Sequence, residues 1–157
     1  MHKSDLRAVA VMVLGLVALP GASHALGTDS EPEPRQADLY KQAEALIEDE
    51  DYADAIPLLQ RSIKEKGEYA DALNLLGYAN RKLGDKAKAL TYYTKALNLE
   101  PRHLGANEYL GELYLEMNDL PKAEERLAVL KDTCGDCEEH DELAEEIADY
   151  KEAQGQS

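Results

Sequence analysis

From Gln36 onward the apolar positions of this chain fall at helical spacing, and Ala, Leu, Glu and Lys dominate. The stretch before that point follows another pattern. Ala8–Leu19 is uncharged and mostly aliphatic, and Leu26–Arg35 is polar with two prolines. Within the helical part a period of 34 residues stands out. Leu76-Gly77 returns as Leu110-Gly111, Ala89 as Ala123, and the turn dipeptide Gly84-Asp85 as Asn118-Asp119. One period earlier stand Ala55 and Glu50-Asp51. Three units follow: 36–69, 70–103 and 104–137.

Each unit predicts a pair of helices. Gly77 and Gly111 fall inside helices, where Gly costs about 1 kcal/mol relative to Ala. That cost makes sense where a neighbouring helix comes close to the backbone. Ala55, Ala89 and Ala123 do the same from the second helix. Asp85 and Asp119 are placed to cap the second helices. Pro101 stops the second helix of the middle unit, and Pro121 falls in a first helical turn, where its missing N–H does little harm. Pro57 lies further inside and should bend its helix locally. Beyond the third unit, Leu143, Ile147 and Tyr150, with Ala144 and Ala148, make one apolar stripe, which predicts a terminal helix over 138–153. Asp136 is the expected cap, with Glu139 three residues on as a capping box. The remaining tail, to 157, should fray.

The middle unit resembles the tetratricopeptide repeat. Leu73, Leu76-Gly77, Ala89, Tyr93, Ala96 and Pro101 stand at that family's places, and Asn80 departs from it. The third unit matches at Leu110-Gly111, Tyr114 and Ala123. The first is weaker, with Ala43, Leu46, Ala55 and Leu59. The resemblance implies an all-α fold: an α-solenoid of three helix-turn-helix repeats, with 138–157 as capping helix and tail.

Residues 1–25 read as a secretory signal. Lys3 and Arg7 supply the positive start, Pro20-Gly21 breaks the helix, and Ser23-His24-Ala25 offers a cleavage site. The apolar run is shorter than a bilayer span. The expectation is export to the periplasm of a Gram-negative bacterium, with no stable membrane insertion after cleavage and 26–35 as a flexible linker. The whole chain carries a formal charge of −15, and about −16 remains after residue 25. That acidity speaks against nucleic acid, whose phosphates demand cations. All nine aromatic residues are Tyr.

The resemblance implies that the first helix of each repeat lines a concave groove. Carried onto this chain, the groove residues are Tyr40, Glu44, Asn74, Tyr78, Arg81, Glu108, Tyr109 and Glu112. Tyr and Arg often anchor interfaces, and the Asn74 amide suits a peptide backbone. The positions at which some family members clamp a chaperone's C-terminal carboxylate hold Tyr40, Gly105 and Tyr109, which argues against that partner class. Cys134 and Cys137 admit three readings: a structural disulfide, a dithiol redox centre, or a metal site with His140. An oxidising compartment and a count of two cysteines favour the disulfide. No catalytic constellation and no cofactor signature appear. The expected function is a non-catalytic scaffold that holds a peptide or partner protein of the cell envelope. Self-association through an open end of the short stack is compatible with it, and a metal or redox protein is the alternative.

Overall fold

A computed structural model describes residues 38–155; the signal and linker assigned to 1–35 lie outside the described residues. Seven α-helices follow one another: α1 Leu39–Glu48, α2 Tyr52–Lys66, α3 Ala70–Lys82, α4 Lys86–Leu99, α5 Leu104–Glu116, α6 Leu120–Cys134 and α7 Glu138–Ala153. The described residues contain no strand. The helices keep the 34-residue rhythm of the sequence. Second helices begin at 52, 86 and 120, and α3, α5 and α7 begin at 70, 104 and 138. The terminal helix is therefore in register as the first helix of a fourth unit.

Local chemistry fixes the ends. Asp85 caps α4 by accepting from Lys88 N at 3.1 Å, and Asp119 caps α6 by accepting from Lys122 N at 3.4 Å. Gly84 takes a φ of 84° and Asn118 a φ of 59°, the left-handed turn that reverses the chain between paired helices. His103 caps α5, its Nδ1 accepting from Ala106 N at 3.1 Å. Nδ1 must be unprotonated for that bond. Nε2 then carries the proton toward Asp71 Oδ1, 3.0 Å away. Pro121 sits in the first turn of α6, and Pro57 lies within α2, which continues on both sides of it.

One expected cap is corrected. Cys137, not Asp136, occupies the N-cap of α7, and it makes no side-chain capping bond. The Asp136 carboxylate instead pairs with Lys131 in the last turn of α6. A cation near a helix C-terminus draws the acid back toward α6, away from the N–H groups of α7.

Packing explains the small residues. A Cβ added at Gly77 would lie 2.5 Å from the Tyr93 ring, and one at Gly111 would lie 2.5 Å from Leu143 Cδ2. Ala55, Ala89 and Ala123 are fully buried, as are Tyr93, Leu59, Leu76, Leu113, Leu130 and Leu143. Each fully buried large side chain contributes about 1.5–3 kcal/mol of transfer free energy. Leu143 and Ile147 join the core cluster of α5 and α6, so α7 covers the last pair. Asn80, the departure from the repeat pattern, is buried inside α3 and donates to the Leu76 carbonyl at 2.7 Å. That bond satisfies its polar group without a tertiary partner.

Among the described helices, α1, α3, α5 and α7 touch in succession, whereas α2, α4 and α6 do not touch one another. A stack packed more closely on one side curves toward that side. The first helices therefore line the concave face.

Candidate functional site: the concave face

The concave face is built from equivalent positions of successive first helices. Asn74, Glu108 and Glu142 form one row; Tyr78, Glu112 and Glu146 form the next. Each row advances by 34 residues and contains one member from α3, one from α5 and one from α7.

The centre of the face is aromatic. The Tyr78 and Tyr109 rings stand 4.8 Å apart, and Tyr52 of α2 approaches Tyr78 at 6.0 Å. The Arg81 guanidinium lies 5.6 Å from the Tyr78 centroid and 5.8 Å from that of Tyr109. Arg81 also pairs with Glu112, and with Glu116 at 3.2 Å. Its side chain is only 8% exposed, and that of Glu112 13%. Burial raises the Glu112 carboxyl above the usual range, although Arg81 pulls the other way. Arg81 is thus committed to α5. It ties two repeats together through these ion pairs while it borders the face.

Asn74, Leu75, Gly105, Glu108, Tyr109, Glu138, Glu139 and Glu142 surround one cleft of the face, about 390 Å³ in volume. Glu108 is 3% exposed. Burial, then a hydrogen bond with Glu142, then the charges of Glu112, Glu142 and Glu139 push its carboxyl up to about 9. It is therefore protonated at neutral pH, a neutral acid that shares a hydrogen bond with an exposed partner. Asn74 is 7% exposed, and its Oδ1 has no hydrogen-bond partner. A second cleft of about 570 Å³ lies between Arg81, Lys82, Glu112, Leu115, Glu116, Glu146, Asp149 and Tyr150.

Tyr40 and Glu44 stand apart from this group. They lie on α1, hydrogen-bonded to each other. Tyr40 packs 5.9 Å from Tyr69 and borders a small cleft with Asp38, Lys66 and Asp71. The structure thus brings Tyr78, Arg81, Tyr109 and Glu112 together, places Asn74 and Glu108 beside them, and leaves Tyr40 and Glu44 at the first repeat. Glu139, Glu142 and Glu146 of α7 complete the face. Sequence reasoning treated that helix as a lid and omitted them. Adding one more period to Glu108 and Glu112 would have found two of the three.

The cysteine pair spans the turn that leads into α7. Cys134 and Cys137 are joined in a disulfide between the end of α6 and the N-cap of α7. Both sulfurs are thereby removed from the ligand set with His140. Asp136, His140 and Asp141 bring oxygen and nitrogen atoms within 4.8 Å of one another. Lys131 already pairs with Asp136, and His140 Nδ1 lies 2.9 Å from Asp141 Oδ1. No described helix is long and apolar enough to cross a membrane.

Known proteins agree with this architecture. Tetratricopeptide repeat models match residues 40–102 and 80–147. No curated protein matches at sequence level. Among solved structures, the Sgt2 tetratricopeptide repeat domain from Aspergillus fumigatus is similar at TM-score 0.68 and 20% identity, over 80% of this chain and 85% of that one. The Yersinia enterocolitica type III secretion chaperone SycD, in complex with a peptide of the translocator YopD, is similar at TM-score 0.62 and 20% identity, over 73% and 88%. PcrH, in complex with the chaperone binding region of PopB, is similar at TM-score 0.60 and 20% identity, over 71% and 90%. With two overlapping repeat models that together cover residues 40–147 and seven helices in a 34-residue rhythm among the described residues, the chain belongs to the tetratricopeptide repeat family.

Proposed function

We propose that this protein is a non-catalytic scaffold that holds a peptide or a segment of a partner protein on its concave face, in the periplasm. The observation that carries the reading is the face itself. Tyr78 and Tyr109 pack against each other at a tilt across two repeats and remain partly exposed, on a face with two clefts large enough for side chains. Rigid aromatic surface of this kind gives contact area at little entropy cost, which is why Tyr recurs at interface anchors. Two of the similar structures are complexes with a peptide or a binding region of another protein, which supports the same use here. The periplasmic address rests on the signal-like residues 1–25.

The test is site-specific photocrosslinking in the source cell. A photoreactive residue replacing Tyr78 should capture a discrete partner, and one replacing Lys88 of α4 should not. Equal capture from both positions, or capture only from Lys88, would move the binding surface off the concave face. Fractionation and N-terminal sequencing test the address. A mature chain beginning at Leu26 in the periplasmic fraction is expected, and a cytoplasmic chain that retains Met1 would overturn it.

A further inference from the structure

The concave face is not neutral ground. Its α5–α7 end presents Glu108, Glu138, Glu139 and Glu142 around one cleft, and Arg81 of the same face is already paired with Glu112 and Glu116. Acidic residues alone say little, since most helix surfaces of this chain are acidic. Asn74 adds an observation that asks for a donor. It is 93% buried, it borders the same space, and its Oδ1 accepts from nothing. A buried acceptor without a donor costs free energy in the unliganded protein. Anions and carboxylates do not fit the space: acids ring it, and what Asn74 lacks is a donor.

We infer that the cleft between Asn74, Glu108 and Glu142 receives a lysine side chain from a basic segment of the partner. An ammonium carries three donors and no acceptor. Glu108 and Glu142 offer carboxyl acceptors on two helices, Asn74 Oδ1 lies buried without a donor at the wall of the same cleft, and Glu138 and Glu139 set the surrounding potential. A cation entering the cleft stabilises the ionised form of Glu108, so docking displaces the proton held with Glu142. The residues facing that proton are Glu112 on the same helix and Glu139 and Glu142 on α7, with Asn74 on α3 uncharged. The inference rests on the concave-face reading above and adds the chemistry of the guest.

The experiment uses the full chain and a fluorescent ten-residue peptide alternating Lys and Ala, with the Nε-acetylated peptide as control. Anisotropy should show binding of the lysine peptide, weakening as salt rises. Acetylation should abolish it. Glu139→Gln with Glu142→Gln should weaken binding at least about tenfold, since two charges leave the site. Glu48→Gln with Asp132→Asn removes the same charge from positions elsewhere and should change it less than about twofold. Asn74→Leu supplies a readout that a structural role would not give. It should leave stability unchanged or raised, because an unpaired buried polar group is removed, and yet weaken binding. Equal effects of the two charge-removing pairs would reduce the attraction to bulk acidity and overturn the inference. Spermidine or calcium competing as well as the lysine peptide would overturn it in favour of a small cation. If photocrosslinking at Tyr78 still captures a partner in the Glu139→Gln, Glu142→Gln variant, the concave-face reading stands and the lysine site falls. If Tyr78 captures nothing in any variant, the concave-face reading falls as well.

Discussion

Gly111 gives the sharpest test of why this stack holds together. A methyl group at 111 would meet Leu143 Cδ2 at 2.5 Å and Cδ1 at 2.7 Å. Leu143 is fully buried and has little room to retreat. Gly111→Ala should therefore cost about 1–3 kcal/mol of overpacking, offset by about 1 kcal/mol of helix propensity. The net is a destabilisation of about 1 kcal/mol. Leu143→Ala removes a buried side chain and should cost about 3 kcal/mol. In the Leu143→Ala background the clash is gone and the propensity gain remains, and the new methyl fills part of the void. The double variant should then lie only about 2 kcal/mol below wild type, a coupling of about 2 kcal/mol between positions 111 and 143. Urea unfolding followed by far-UV circular dichroism measures all four proteins. The distinguishing result is a change of sign: Gly111→Ala destabilises the wild-type chain and stabilises the Leu143→Ala variant. Additive effects, or a stabilising Gly111→Ala in both backgrounds, would show that close approach of α7 to α5 is not what requires the glycine.

Further outcomes follow from the buried charges and the cysteine pair. Arg81→Ala leaves Glu112 buried without its cation and should cost about 3–5 kcal/mol where Glu112 is ionised; because burial already raises that carboxyl, the deficit should shrink as pH falls and Glu112 takes up a proton, read from urea midpoints over a pH series. Glu108 binds its proton more tightly folded than unfolded, since burial raises its carboxyl from 4.5 to about 9. Its contribution is present below the unfolded value and is lost as pH rises toward the folded one. Glu108→Gln should therefore flatten the decline in stability between about pH 5 and pH 9, and an unchanged slope would show that Glu108 is already ionised in the folded protein. The Cys134–Cys137 bridge closes a ring of four residues, so reduction should cost at most about 2 kcal/mol of chain entropy. Leu143 and Ile147 should keep α7 docked in the reduced protein, measured as retained helical signal in a reductant series.

The fold was largely legible because a solenoid repeats its packing problem. Gly77 and Gly111 mark where helices approach closely, Asp85 and Asp119 mark where second helices begin, and α7 spans the predicted 138–153. The concave face was legible only by halves. The period tells which residues share a row, and it places Tyr78 and Glu112 together. It does not tell which charges are spent within the fold. The pairing of Arg81 with Glu112 and Glu116 is seen only in the structure. Glu108 reads as a solvated acid until α7 closes over it with Glu142. Asp136 misled for a related reason: a good capping residue is still drawn to Lys131 when a lysine is within reach.

In register as the first helix of a fourth unit, α7 carries a different outer side from the helices before it. In α3 the positions Leu73, Leu76 and Gly77 are all buried among neighbouring helices. Two periods on, the same positions on one side of α7 hold Asp141, Ala144 and Glu145, with both acids exposed. A neighbouring molecule trying to lengthen the array at this terminus would have to strip water from two carboxylates and gain little oily contact in return. Hydration of Asp141 and Glu145 therefore opposes stacking of another copy on that side of α7.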